Sequence, residues 1–183
     1  MDKAKEYAID NCAFVDDDTV YGILFDGAWL WETYLKIILL DHGFTHPDNI
    51  SQTGGFSLFQ NSNVPRFPDF MSKHTVLDAK YKRYIDKQNE HNGRIRGVSR
   101  EDLAQVISYM YVQQFSAGGF LVPGGSTVNL RQEMLRGYGG NIFLLNLPIP
   151  QNCASYRDFC EAIHFNEIAF GKEIDQIQSF SHQ

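Results

Sequence analysis

From Asp26 the chain runs D-G-A-W-L-W-E-T-Y-L-K-I-I-L-L-D-H-G, apolar on nearly every side of a helical wheel. Asp26-Gly27 reads as the start of a helix and Gly43 as its stop, and the all-round pattern predicts a largely buried element. Residues 56–60 (F-S-L-F-Q) read as a strand. Residues 67–70 and 75–81 are rich in aromatic and β-branched side chains and flank the polar Ser72-Lys73-His74. That pattern predicts a β-hairpin, with the 56–60 strand preceding it in one antiparallel meander. Ser99-Arg100-Glu101-Asp102 is a capping-box pattern. It opens a helix whose core stripe is Leu103, Val106, Ile107 and Met110, and which ends before Gly118-Gly119. Residues 120–122 and 142–147 read as further strands, and the glycine-containing stretch between them as turns. Tyr156, Phe159, Cys160 and Ile163 space a final amphipathic helix that ends in a polar tail.

Composition narrows the class. A chain of 183 residues with 14% aromatics is long enough for one packed domain, 1–183, and no run of about 18 apolar residues predicts a membrane span. The start M-D-K-A-K-E-Y lacks the apolar region of a secretory signal, and three distant cysteines, Cys12, Cys153 and Cys160, fit buried thiols in a reducing compartment. The expectation is a cytoplasmic protein without a membrane role. Residues 1–20 begin with a short helical pattern and pass into the acidic run Asp16-Asp17-Asp18, which reads as a solvated turn; the segment can be the remnant of an upstream region.

The net charge of -6 hides a local asymmetry: residues 66–100 carry nine Lys/Arg against four acids. A basic surplus beside a hairpin fits either a solvated loop or a surface for phosphates, since Lys and Arg contacts supply most nucleic-acid affinity. On the second reading Lys73, Lys82, Arg83, Arg94 and Arg96 are the candidate DNA contacts. The polar stretch after Lys82 reads as a mobile loop able to close over a bound strand.

The hairpin itself carries charges that need a reason. Val76, Asp78 and Lys80 share one face of the second strand, and a turn centred near Lys73 and His74 brings Asp69 opposite Asp78. Like charges paired across strands are destabilising unless something compensates, and a divalent cation held by hard oxygen ligands is the obvious compensation. Glu32 stands on an otherwise apolar stripe of the first helix. An ionised glutamate there needs a partner, and an i+4 pair with Lys36 would supply one. Asp102, Gln105 and Tyr109 form a polar stripe on the capped helix that reads as a half-exposed face. His42 and His46 lie four apart, but Gly43 and Pro47 break the helix a zinc pair would need. No Walker or G-x-G-x-x-G pattern is present.

Pro68-Asp69 followed by Asp78-Ala79-Lys80 resembles the PD-(D/E)XK nuclease superfamily, and V-L-D-A-K-Y-K resembles the McrC-like nuclease subunit of McrBC-type 5-methylcytosine restriction systems. The resemblance covers about residues 22–122. It implies an α/β restriction-endonuclease-like core, a central mixed sheet flanked by helices. It further implies a Mg²⁺-dependent DNA endonuclease, with Mn²⁺ able to substitute. Asp69, Asp78, Glu32 and the Ala79 backbone carbonyl would be the metal ligands, Lys80 the catalytic lysine, and Gln105 and Tyr109 a supporting Q-x-x-x-Y pair. The implied partners are DNA and a GTP-hydrolysing AAA+ motor subunit. Three cysteines are one short of the iron–sulfur cluster of some RecB-like relatives, so no cluster is inferred. The competing readings are a stand-alone repair or junction nuclease and a non-catalytic DNA-binding or assembly module.

Overall fold

The computed structural model describes residues 26–81, 98–137 and 139–180. The candidate DNA contacts Lys82, Arg83, Arg94 and Arg96, the predicted mobile loop, Cys12 and the acidic run at 16–18 lie outside these residues.

The first helix, α1 (Gly27–Asp41), begins where its sequence predicts, because the Asp26 carboxylate accepts from the Ala28 and Trp29 N–H groups at 2.9 and 3.2 Å. Its burial differs from expectation. Only Trp31, Leu35 and Leu39 are buried, while Trp29, Leu30, Ile37 and Leu40 are exposed, Ile37 at 68%. The helix lies on one face of the sheet, so one stripe meets the core and the rest of its apolar surface does not.

The central sheet has five strands, which in spatial order are Phe70–Met71, Thr75–Ala79, Ala117–Pro123, Asn141–Leu147 and Asn129–Met134; two shorter strands before them, β1 (Phe56–Ser57) and β2 (Pro65–Arg66), form a small sheet of their own. The strands β3 (Phe70–Met71) and β4 (Thr75–Ala79) form the predicted hairpin, paired antiparallel with Phe70 opposite Leu77 and Met71 opposite Val76. Both strands are shorter than predicted. Pro68 has no N–H to give the ladder, so regular pairing starts only after Asp69. Helix α2 (Arg100–Gln113), capped by Ser99 through its bond from the Asp102 N–H at 3.0 Å, carries the chain to β5 (Ala117–Pro123), which pairs parallel with β4. The last two strands are β6 (Asn129–Met134) and β7 (Asn141–Leu147). β7 pairs parallel with β5, and β6 closes the edge antiparallel to β7. The long helix α3 (Tyr156–Ser179) completes the layers. The mixed sheet with helices on both faces is the expected α/β class.

Three local expectations are corrected. The strand at 56–60 does not join the hairpin: β1 (Phe56–Ser57) pairs with β2 (Pro65–Arg66) in a separate two-stranded sheet, because the intervening chain turns back on the Ser57 hydroxyl, which bonds Phe59 and Ser62 carbonyls. Residues 129–134 are a strand rather than turns, since a half-exposed edge strand needs no apolar alternation. The core stripe of α3 is Phe170, Ile174 and Ile177, not the stripe from Tyr156, which is 83% exposed.

Packing divides by face. Leu77, Leu121, Phe143 and Leu145 meet α1 and α3 on one side. Val76, Phe120, Val122 and Leu144 meet Val106, Tyr109 and Met110 of α2 on the other. Gly118 fixes how close α2 can come: a Cβ there would run into Met110 and Val106.

Candidate active site

The hairpin register, continued one residue past Phe70 and Leu77, brings Asp69 opposite Asp78, as the turn position predicts. The contact that locks the two motif halves together is a hydrogen bond: Asp69 Oδ2 accepts from the Ala79 N–H at 2.7 Å. Asp78 is 4% exposed, and its Oδ2 lies 2.8 Å from Lys80 Nζ, so the two charges that alternation places on one face do meet.

Lys80 has a second partner. Asp102, at the start of α2, approaches its Nζ at 3.2 Å. Burial works to lower the lysine pKa, but its hydrogen bonds and charge pairing with Asp78 and then Asp102 outweigh this and hold it well above the ordinary value. An ammonium so paired is a donor and a fixed positive charge, not a proton acceptor. Its backbone is fixed as well. The Leu121 carbonyl accepts from the Lys80 N–H at 2.9 Å and from Trp31 Nε1 at 3.1 Å, tying the end of β4 and helix α1 to one atom of β5.

That tie places Glu32, the residue after Trp31, near the hairpin. Its Oε1 lies 3.6 Å from His46 Nε2, and His46 Nδ1 lies 2.7 Å from the backbone carbonyl of Asp69. A carbonyl only accepts, so Nδ1 carries a proton and Nε2 is the atom turned to Glu32. His46 also packs on the Phe70 ring, at 5.3 Å between centroids. It therefore bridges the first helix and the hairpin. His42, its supposed zinc partner, instead pairs with Asp175 at 2.6 Å.

The electrostatics follow from three acids gathered in partial burial. Burial, then the charges of Asp78 and Glu32, push the Asp69 carboxyl up to about 8, with the Ala79 N–H and Lys80 pulling the other way. Glu32 is also raised, mainly by burial and then by Asp78, against the lowering effect of His46 and Lys36. Lys36 thus acts on Glu32 as a charge, while the side chain lying against its carboxylate is His46. Mutually raised carboxyls with hard oxygen donors suit a divalent cation, which would relieve their repulsion. As they stand, no three His, Cys, Asp or Glu side chains among the described residues close around a common point, and Asp78 is turned to Lys80.

Gln105 and Tyr109 also meet on α2. Gln105 Nε2 donates to the Tyr109 hydroxyl at 2.8 Å, and buried Tyr109 meets Phe56 edge-on at 5.5 Å. Both lie on the α2 stripe that begins with Asp102. Lys73, by contrast, stands exposed in the hairpin turn at the opposite end of β4, roughly 20 Å of strand from Lys80. Sequence reasoning missed two residues. Asp102 carried a signal only as the head of its polar stripe with Gln105 and Tyr109, which does not say what it meets. His46 could have been found only by foreseeing that Thr45 pairs with Met71, which brings the next residue to Asp69.

Residues 11–122 match the model of a family described as McrBC 5-methylcytosine restriction system component. No curated protein matches the chain.

Proposed function

Since the chain belongs to the McrBC 5-methylcytosine restriction system component family, and so to a restriction system, we propose that it is the nuclease component, a PD-(D/E)XK enzyme hydrolysing DNA phosphodiesters with Mg²⁺. The observation that carries this reading is the Asp69–Ala79–Lys80 constellation. One carboxylate is locked to the backbone between two motif residues, and the lysine beyond it is held by Asp78 and Asp102.

In this reading Asp69, Asp78, Glu32 and the Ala79 carbonyl would hold Mg²⁺ or Mn²⁺. A divalent cation bound there supplies Lewis-acid polarisation of the phosphate and a more acidic water. The chain's own contribution is preorganisation. Lys80 donates toward the phosphoryl oxygens as charge builds on them, and Asp102 keeps its Nζ aimed. His46 holds Glu32 against the hairpin. Water adds its oxygen to phosphorus, one P–O ester bond breaks, and the departing oxygen takes up a proton. DNA is the substrate and a GTP-hydrolysing AAA+ motor subunit the partner, as the McrC-like resemblance implies, and the cytoplasm is the compartment, on the strength of the start M-D-K-A-K-E-Y and the scattered cysteines. Among the described residues no helix is long and apolar enough to cross a membrane.

The test is cleavage of plasmid DNA at high protein concentration with Mg²⁺ or Mn²⁺ and without nucleotide. Cutting by the wild type that disappears in Asp78→Ala supports the assignment, and cutting that survives in Asp78→Ala removes it.

A further inference from the structure

A groove of about 600 Å³ lies between the small β1–β2 sheet and α2. Pro65 and Phe67 line it with half-buried rings and Tyr109 from its buried side, beside the amide- and guanidinium-bearing Asn49, Gln105 and Arg66. Two elements run from the groove into the candidate active site. Phe67 is followed directly by Pro68 and Asp69. On α2, Gln105 and Tyr109 stand three and seven residues after Asp102, which is 3.2 Å from Lys80 Nζ. One helical turn is about 5.4 Å, so the groove opens about one turn from the partner of the catalytic lysine.

We propose that this groove receives the base and sugar of a nucleotide next to the scissile phosphate, turned out of the stack; the inference rests on the nuclease reading above. Its volume is that of a site for one small organic group. Rings beside amide and guanidinium side chains are the residue types an unstacked base uses, by stacking on the first and pairing with the second. The charges choose the base over a second phosphate. Glu101 also lines the groove and would repel an anion, whereas an uncharged base tolerates it and can donate an exocyclic amine to it. Arg66, its Nη1 held on the Pro65 carbonyl at 2.9 Å, brings positive charge to the adjoining backbone.

The experiment uses the full chain and DNA duplexes carrying 2-aminopurine, or an abasic residue, at positions beside the cut. Ala104→Trp fills the groove from an exposed position on α2 and leaves the core untouched. Asn49→Ala, outside any helix, is the second variant. With Ca²⁺ in place of Mg²⁺, wild-type binding is expected to change 2-aminopurine fluorescence at one position beside the cut, and Ala104→Trp to abolish the change. In Mg²⁺, Ala104→Trp and Asn49→Ala are expected to raise KM, the former about tenfold, with kcat near the wild-type value. An abasic residue at that position raises the wild-type KM equally and adds nothing in Ala104→Trp. Cleavage with a wild-type KM in both variants, or abasic and groove penalties that multiply, overturns the base site and leaves the nuclease reading standing. Wild-type protein that neither binds nor cuts DNA overturns both.

Discussion

Asp69 reaches across the hairpin to the backbone of Ala79, its Oδ2 accepting from that N–H at 2.7 Å. The residue between the two charged members of the D-A-K triplet is thereby fixed by the aspartate of the other motif half. A carboxylate spent on a backbone bond is normally stabilised as the anion, yet this one is raised, because burial and the neighbouring acids outweigh the bond.

That balance predicts an inverted pH dependence for the metal-free protein. The folded-state value near 8 lies above the ordinary aspartate value of about 3.9, so the folded state keeps a proton that the unfolded chain releases. Stability therefore falls as pH rises from about 4 to about 8 and levels off above. Melting in EDTA should drop by on the order of 5 °C across this window, and Asp69→Asn should flatten the profile. Melting that rises with pH in EDTA is the opposite outcome.

Lys80 sits between Asp78 and Asp102, so its two partners serve different ends. Lys80→Ala should lower cleavage by about 10²-fold or more. Asp102→Asn weakens the hold on the ammonium, costing about 1–3 kcal/mol in denaturant unfolding and a smaller share of activity. Lys80→Arg should not restore the rate, since a planar guanidinium cannot take the place of a compact ammonium between two carboxylates. Rates and unfolding midpoints measured on the same preparations separate the two effects.

His46 should matter through Glu32. His46→Ala is expected to weaken Mn²⁺ affinity by about tenfold, as for other residues that orient ligands, while DNA binding without metal stays near wild type. Equal Mn²⁺ affinity in the two proteins would remove His46 from the site.

Gly118 links packing to chemistry. A Cβ there meets Met110 and Val106 on α2, so Gly118→Ala should cost about 1–3 kcal/mol and displace the helix that brings Asp102 to Lys80. Activity should fall further than that of a variant equally destabilised on the α1 face, such as Leu39→Val. Comparing kcat at matched unfolding midpoints checks this.

The hairpin was legible because its signals are local. A polar turn of known length sets the register, and the register alone decides that Asp69 faces Asp78. The Ser99 cap and the Asp26 cap were legible for the same reason. His46 and Asp102 were not, because each reaches the site from an element distant in sequence, through a single bridge at Thr45 and through the approach of α2 at Gly118. The edge strand at 129–134 escaped because its exposed side carries Gln and Glu rather than an apolar alternation. The overestimated burial of α1 has a related cause: a periodic apolar pattern records which faces could be buried, and the sheet covers only one of them.

The most direct test is calorimetric titration of Mn²⁺ into the wild-type chain and into Asp78→Ala, because metal binding by the acidic cluster is needed whether or not a motor subunit is present. The wild type should bind with release of protons near pH 7, where Asp69 is still largely protonated, and Asp78→Ala should show little or no binding. Absence of binding by the wild type, or equal binding by the variant, would contradict a metal-dependent active site at Asp69, Asp78 and Glu32.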